Sequence, residues 1–276
     1  VVYDHGVVTT PQLHHAVKHA AAITCDSMLL PSYIPLRLNV GGYYDLLVHS
    51  YLALLATTYD DDRPSTTISR VLTVDCACGV GYPHLMRILD RIGSSSTRNN
   101  IQAVNAPDAG PLNEACGSEY VQKQQDVPKL YDTPNADLSY AASLDGDADR
   151  VVFFTASPSF QLLDGDKIAC LIGNFIHNQL ELVCGECTAS PVVPRLGVVQ
   201  TAYANGASTK YLTKNNVPVV FAKTGVKHVH KAAHDNYDVG VYFEANGHGT
   251  ILFGNKFYDF LNATKYHVKH SKRAWL

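Results

Sequence analysis

No stretch of the 276-residue chain approaches the roughly 18 consecutive apolar residues that a membrane-crossing helix needs. The opening Val1-Val2-Tyr3-Asp4 has neither the charged region nor the apolar core of a secretory signal, and no initiating methionine. The expectation is a fragment, or a protein whose first part precedes Val1, working in the cytoplasm. A charge excess is also missing: 22 basic against 25 acidic residues leave a formal net charge of -3. That balance gives no basic footprint for nucleic acid or for an anionic membrane, and no obligatory protein partner is evident. An anionic ligand would have to be drawn in by local loops. Cysteine is sparse and odd in number, seven in all, which argues for thiols in a reducing compartment and against a disulfide framework. Cys184 and Cys187 form one C-x-x-C, but a structural zinc wants a second pair, and Cys76-Ala77-Cys78 is one residue too tight.

What is present describes an ordinary globular chain, 46% hydrophobic and 17% charged, long enough for more than one compact unit. Val7-Val8-Thr9-Thr10-Pro11 reads as a strand end running into a turn, with Pro11 opening a helix through Leu13, His14 and Val17. Tyr43 to Ala56 has helical spacing, and the charged, proline-broken Tyr59–Ser65 is a candidate boundary. From Val71 strands and helices alternate. Strands are expected at Val71–Ala77, Ile101–Val104, Leu138–Leu144 and Val151–Phe154, with a helix over Tyr82–Ile92 and a loop over Gly93–Asn100. A second alternating stretch starts near Leu162. Gly165–Leu182 carries Ile168, Leu171, Ile172, Phe175, Ile176 and Leu180 as an amphipathic stripe. Strands follow at Gly197–Gln200, Val217–Ala222, Val239–Phe243 and Thr250–Phe253, and a helix starts at Asn255. Such alternation argues for α/β layers, in which ligands bind at loops on strand ends. No internal repeat stands out at a period of 20–50 residues.

The most informative stretch is Ser143-Leu144-Asp145-Gly146-Asp147-Ala148-Asp149-Arg150, between two apolar strands. Three carboxylates at alternate positions repel one another unless a cation neutralises them, an acidic β-turn with no ion being the bland alternative. Oxygen-only ligands in a tight loop suit a hard ion such as Mg²⁺. An EF-hand fails, because its sixth and twelfth positions hold Arg150 and Ala156 in place of Gly and Glu. Arg150, directly after the carboxylates, suits a visiting phosphate. Phe243-Glu244-Ala245-Asn246-Gly247-His248-Gly249-Thr250 offers donors and acceptors for sugar hydroxyls on a glycine-rich turn. A polar hairpin is the bland alternative there. His228, His230 and His234 suggest zinc by type, but Lys227 among them and the carboxylate loop elsewhere argue against it.

Asp145-Gly146-Asp147-Ala148-Asp149-Arg150 resembles the metal-binding loop of the α-D-phosphohexomutases, in which three aspartates hold Mg²⁺ beside a phosphorylated serine and the arginine lies close to that serine. The Glu244–His248 segment resembles the family's Glu-x-Ser-Gly-His sugar loop. Asn246 in place of Ser is similar to the subgroup acting on N-acetylglucosamine phosphate. Lys223–His230 resembles a substrate-contacting loop, and Val199–Gly206 another stretch of the same enzymes. Gly6–His14 is similar to the end of the family's first domain, and Val74–Gly81 to the opening of its second, with Cys78 in place of an expected Asn.

The resemblance implies consecutive phosphohexomutase-type α/β domains with mixed sheets: residues 1–62 a remnant of domain 1, 63–161 domain 2, 162–276 domain 3, and domain 4 absent. Neither a Thr-Ala-Ser-His-Asn-Pro type loop nor an Arg-Pro-Ser-Gly-Thr-Glu type loop occurs in the chain. The implied activity is interconversion of the 6- and 1-phosphates of N-acetylglucosamine, through a phosphoserine and a glucosamine- or glucose-type 1,6-bisphosphate activator, for UDP-N-acetylglucosamine synthesis. Asp145, Asp147 and Asp149 would hold Mg²⁺. Thr224, Gly225, Lys227, His228, Glu244, Asn246, Gly247 and His248 would bind the phosphorylated N-acetylhexosamine. Arg150, Lys227 and His248 would serve catalysis. A glucose- or mannose-phosphate mutase, and a non-catalytic sugar-phosphate or partner-binding protein of the same fold, remain as alternatives.

Overall fold

Short β-branched runs become strands in both halves of the chain, and the helices between them bury one face each. The computed structural model describes residues 6–24, 40–58, 71–93, 100–186 and 192–264. They fall into two compact units, divided between Leu162 and Leu163.

The first unit contains α1 (Thr10–Thr24), α2 (Val40–Thr58), β1 (Leu72–Asp75), α3 (Gly81–Ile92), β2 (Ile101–Val104), α4 (Ser118–Gln124), β3 (Ala141–Leu144), β4 (Val151–Thr155) and β5 (Gln161–Leu163). The sheet order is β2-β1-β3-β4-β5. β1 runs parallel to β2 and β3, and β3 pairs antiparallel with β4, Leu144 opposite Val151. The carboxylate loop 145–150 therefore closes a hairpin on the parallel part of the sheet. Phe154, Val152 and Leu162 form a core with Val121 of α4. Helices α1, α2 and α3 pack in sequence. Buried His84 of α3 stands at their junction, its Nδ1 3.1 Å from Gln12 Nε2 and in contact with the Tyr44 hydroxyl.

The second unit contains α5 (Gly165–Glu186), β6 (Leu196–Thr201), α6 (Gly206–Lys214), β7 (Val219–Ala222), α7 (Val226–Asn236), β8 (Val239–Phe243), β9 (Gly249–Phe253) and α8 (Asn255–Thr264). Its order is β7-β6-β8-β9, with β6 parallel to β7 and β8, and β8 antiparallel to β9. This is the topology of the first unit again: a central strand flanked by two parallel strands, one of which turns into an antiparallel hairpin. The repeat is one of chain path, so no sequence period announces it. Ala169, Leu180 and Val183 of α5 pack on Val198, Leu212 and Val241. Burying such a side chain fully contributes about 1.5–3 kcal/mol.

The α/β class with mixed sheets is as the sequence implies. Details differ. Residues 7–9 are coil, with α1 starting at Thr10, because that segment pairs with no strand among the described residues. On α5, Leu171 and Phe175 are exposed, since the inward row 168, 172, 176, 180 lies about 100° round the helix from them. Helix α4 has only seven residues, too few to show a period. The boundary at Tyr59–Ser65, most of the loop Gly93–Asn100, and Cys187 lie outside the described residues.

Candidate metal centre and substrate loops

The carboxylate loop rests on a buried knot. Asp75 ends β1 and is 1% exposed. It accepts hydrogen bonds from the Ala77 amide (2.9 Å), Asn105 Nδ2 (2.7 Å), the Gly117 amide (2.8 Å) and the Ser143 hydroxyl (2.5 Å). Four partners satisfy a carboxylate that would otherwise be costly to bury. They also lock the carboxyl ends of β1, β2 and β3 together, so residue 144 leaves the sheet in a fixed direction. The turn after β1 then packs on the carboxylate loop. The Val80 amide donates to the Gly146 carbonyl (3.0 Å), and a β-carbon on Gly79 would lie 2.4 Å from that same oxygen. Glycine at 79 is a requirement of this approach. Cys78 has φ 54, in the left-handed region where Asn is the commoner side chain, which accounts for the Asn expected there.

Within the loop, Asp145 is buried, Asp149 half-buried and Asp147 exposed, and their ligand atoms lie within 4.8 Å of one another. Asp145 Oδ1 accepts from the amides of Asp149 and Arg150, both at 3.1 Å. Ala148 sits at φ 57, its amide donating to the Asp145 carbonyl, and this turn brings the carboxylates together. Asp147 is held from α1: the Thr10 amide donates to its carbonyl (3.1 Å) and the Thr10 hydroxyl to its Oδ2 (2.5 Å). Burial, then the charges of Asp149 and Asp147, push the Asp145 carboxyl up to about 6. Arg150 offsets part of this repulsion. Its Nε lies 3.4 Å from Asp145 and 3.7 Å from Asp149, without hydrogen-bond alignment, while its Nη1 reaches Glu119 at 3.5 Å.

The substrate-loop candidates lie in the second unit. Glu244 opens the β8–β9 turn, closed by Glu244 N–H to His248 carbonyl (2.8 Å) and Gly247 N–H to Glu244 carbonyl (2.9 Å). Asn246 Oδ1 accepts from the His248 amide at 3.0 Å. The Gly225 amide, at the cap of α7, donates to Glu244 Oε1 at 3.0 Å. The structure thus joins the 223–225 loop to the 244–248 turn. Lys227 and His228, which sequence reading placed on a loop, stand on the first turn of α7, Lys227 exposed. His230 contacts the buried Tyr242 hydroxyl (3.1 Å), and no metal-spaced group of three joins His228, His230 and His234 among the described residues. A cavity of about 410 Å³ lined by His177, Glu181, Arg195 and Tyr237 lies at the other end of these strands, away from the loops. Sequence reading missed Thr10, Glu119 and Asp75, whose partners are distant in the chain; an aspartate closing a buried strand was the one available signal.

Two family models match in order: "Phosphoacetylglucosamine mutase AMG1, domain II" over residues 37–152 and domain III over 164–275. The chain belongs to the phosphoacetylglucosamine mutase family. It is 40% identical over 263 residues to the phosphoacetylglucosamine mutase of Saccharomyces cerevisiae, covering 93% of this chain and 44% of that protein. Against the human enzyme it is 39% identical over 259 residues, covering 91% and 42%. The crystal structure of Aspergillus fumigatus N-acetylphosphoglucosamine mutase with GlcNAc-6P and magnesium matches with a TM-score of 0.74 at 36% identity, over 94% of this chain and 48% of that one. An apo N-acetylglucosamine-phosphate mutase of the α-D-phosphohexomutase superfamily matches with a TM-score of 0.75 at 33% identity, over 98% and 53%. The chain spans about half the length of the relatives it matches. The domain II model takes in α2, which packs on α3.

The carboxylate group fits a small hard cation on its own evidence. Its carboxylate oxygens converge, its most buried member is held above the usual carboxylate range, and the Arg150 Nε beside it is in ion-pair range without a hydrogen bond.

Proposed function

We propose that these residues are the central part of a cytoplasmic phosphoacetylglucosamine mutase, interconverting N-acetylglucosamine 6-phosphate and 1-phosphate for UDP-N-acetylglucosamine synthesis. The observation that carries the proposal is the convergence of Asp145, Asp147 and Asp149 in a loop of the matched domain II, with a Glu-Ala-Asn-Gly-His turn in the matched domain III. The domains are proposed as before: 1–62 from a first domain, 63–161 the second, 162–276 the third. The serine that becomes phosphorylated, making the enzyme a phosphoprotein, would lie in a segment not among these 276 residues.

Asp145, Asp147 and Asp149 would hold Mg²⁺. When bound, that ion would neutralise charge on a phosphoryl oxygen, which is most of what phosphoryl transfer asks of its surroundings. Thr10 keeps Asp147 pointed at its neighbours, and Arg150 supplies guanidinium charge at the edge of the group. Glu244 has one oxygen tied to the Gly225 amide and a second for a sugar hydroxyl. Asn246 spends its carbonyl on the His248 amide, so it offers the sugar its Nδ2–H donors, which match an acetamido oxygen. Thr224, Gly225, Lys227, His228 and Gly247 complete the substrate contacts, Lys227 and His248 serving phosphate contact and proton transfer. A hexose 1,6-bisphosphate is the implied activator. The relative solved as its S69A variant with glucose 1,6-bisphosphate supports that class of ligand.

The test uses the protein read from its complete gene, with Mg²⁺ and a trace of 1,6-bisphosphate. Phosphorus NMR would follow N-acetylglucosamine 6-phosphate and glucose 6-phosphate side by side. Faster conversion of the N-acetylated sugar is expected. Preference for glucose phosphate would move the protein to the neighbouring mutase class, and inertness on both would refute the enzyme reading. Residues 1–276 alone should not turn over.

A further inference from the structure

Three loops leave the carboxyl ends of β6, β7 and β8: 202–205, 223–225 and 244–248. Two consecutive residues at the start of α5 reach two of them. The Gly165 amide donates to the Ala245 carbonyl at 3.3 Å. The approach is close: a β-carbon on Gly165 would lie 1.8 Å from the Glu244 carbonyl oxygen and 3.3 Å from the Gly247 nitrogen. Asp166, 4% exposed, accepts from the Asn205 amide through Oδ2 at 2.7 Å. Asn205 in turn caps α6, its Oδ1 accepting from the Ala207 amide at 2.9 Å. Glu244 extends the chain of ties to the third loop through the Gly225 amide.

Capping of the helix does not depend on either residue. Asp164 already caps α5, its Oδ1 accepting from the Lys167 amide at 3.1 Å. Glycine at 165 gives up helix propensity relative to alanine. Burial raises the Asp166 carboxyl above its ordinary value, so its ionised form is held at a cost. Gly165 gives up helix propensity and Asp166, although an acid in the first turn suits the helix dipole, is buried at a desolvation cost; what each gains is contact with a loop.

We propose that Gly165 and Asp166 are positioning residues: they fix where the 244–248 turn and the 202–205 loop stand, and through Glu244 where the Gly225 amide stands, relative to the bound sugar. The inference rests on the mutase reading above and adds residues that do not touch substrate. A displacement of about 1 Å in such a turn is enough to cost roughly 100-fold in rate.

The experiment compares Gly165→Ala, Asp166→Ala and Asp166→Asn in the protein read from its complete gene. It adds amide chemical shifts and Tm of the same variants in the 276-residue chain. Gly165→Ala and Asp166→Ala should raise KM for N-acetylglucosamine 6-phosphate by roughly tenfold or more, with the Mg²⁺ concentration for half-maximal rate unchanged. Asp166→Asn keeps an oxygen acceptor for the Asn205 amide and should restore KM to within about threefold. Amide signals of 244–249 and Gly225 should shift in Gly165→Ala, and those of 202–206 in Asp166→Ala. Lowered Tm with wild-type KM and unmoved loop signals would overturn the proposal. A wild-type enzyme inert on sugar phosphate would refute the mutase reading separately; the loop signals would still decide the positioning role, and unmoved signals would end it.

Discussion

Asp145 carries the tension of the carboxylate loop. Its carboxyl is pushed up to about 6 from the 3.8 of a free aspartate, first by burial and then by its two acidic neighbours. A carboxyl raised on folding is paid for above its folded pKa, so the metal-free chain should lose stability as pH rises from about 4 to about 6. A rise of that size is worth on the order of 1–3 kcal/mol. Asp145→Asn removes the charge and retains an oxygen for the Asp149 and Arg150 amides. The expected result is a chain more stable than wild type in chelator by about 1–3 kcal/mol at pH 7, and no longer stabilised by added Mg²⁺. Thermal unfolding with and without Mg²⁺ checks both halves. At this scale the sequence was legible where chemistry is local: three like charges in a row of alternate positions need no fold to be noticed. Thr10 and Glu119 were invisible, because they meet the loop from 137 and 31 residues away.

The packing of α1, α2 and α3 is keyed to one neutral imidazole. His84 Nδ1 faces Gln12 Nε2 and the Tyr44 hydroxyl, both donors, and the ring bonds the Val7 backbone through its other side. That set of partners suits the Nε2–H tautomer. Burial, and then the Arg87 charge, hold its pKa below 6.5. A base depressed on folding contributes stability above its unfolded pKa and loses it as pH falls through that value and below. The first unit should therefore loosen as pH drops under about 6.5. His84→Gln should flatten the dependence at some cost in stability at pH 7, as followed by amide exchange in α1 and α3. Elements were readable where an apolar period ran for ten residues or more, as on α2, α3 and α5. The short α4 and the start of α7 were not. Lys227 and His228 read as loop because glycine and threonine precede them, and these in fact mark the cap of a helix.

In the whole molecule, two units of one topology each carry a candidate site loop on the hairpin that follows a parallel strand. One loop is acidic and the other carries sugar-type donors and acceptors. Both loops stood out in the sequence by their side-chain chemistry, and the structure places each at the turn after a parallel strand, where polar groups can gather. What the sequence could not reveal is the scaffolding behind each loop, the Asp75 knot in one unit and the Gly165–Asp166 contacts in the other, since each depends on strands meeting across long chain separations. The second unit also has a charge clamp of its own. Arg195 bonds Asp238 by backbone and side chain and depresses that carboxyl, so its contribution persists above the ordinary carboxylate range and fades in acid below about pH 4.

The proposed chemistry requires the three aspartates to act as one ion site. Titration of the 276-residue chain with Mn²⁺, followed by its paramagnetic resonance signal, addresses that directly. One saturable ion per chain is predicted, displaced by Mg²⁺ and abolished when Asp145, Asp147 and Asp149 are all changed to asparagine. No saturable binding, or binding that survives the triple substitution, would contradict it.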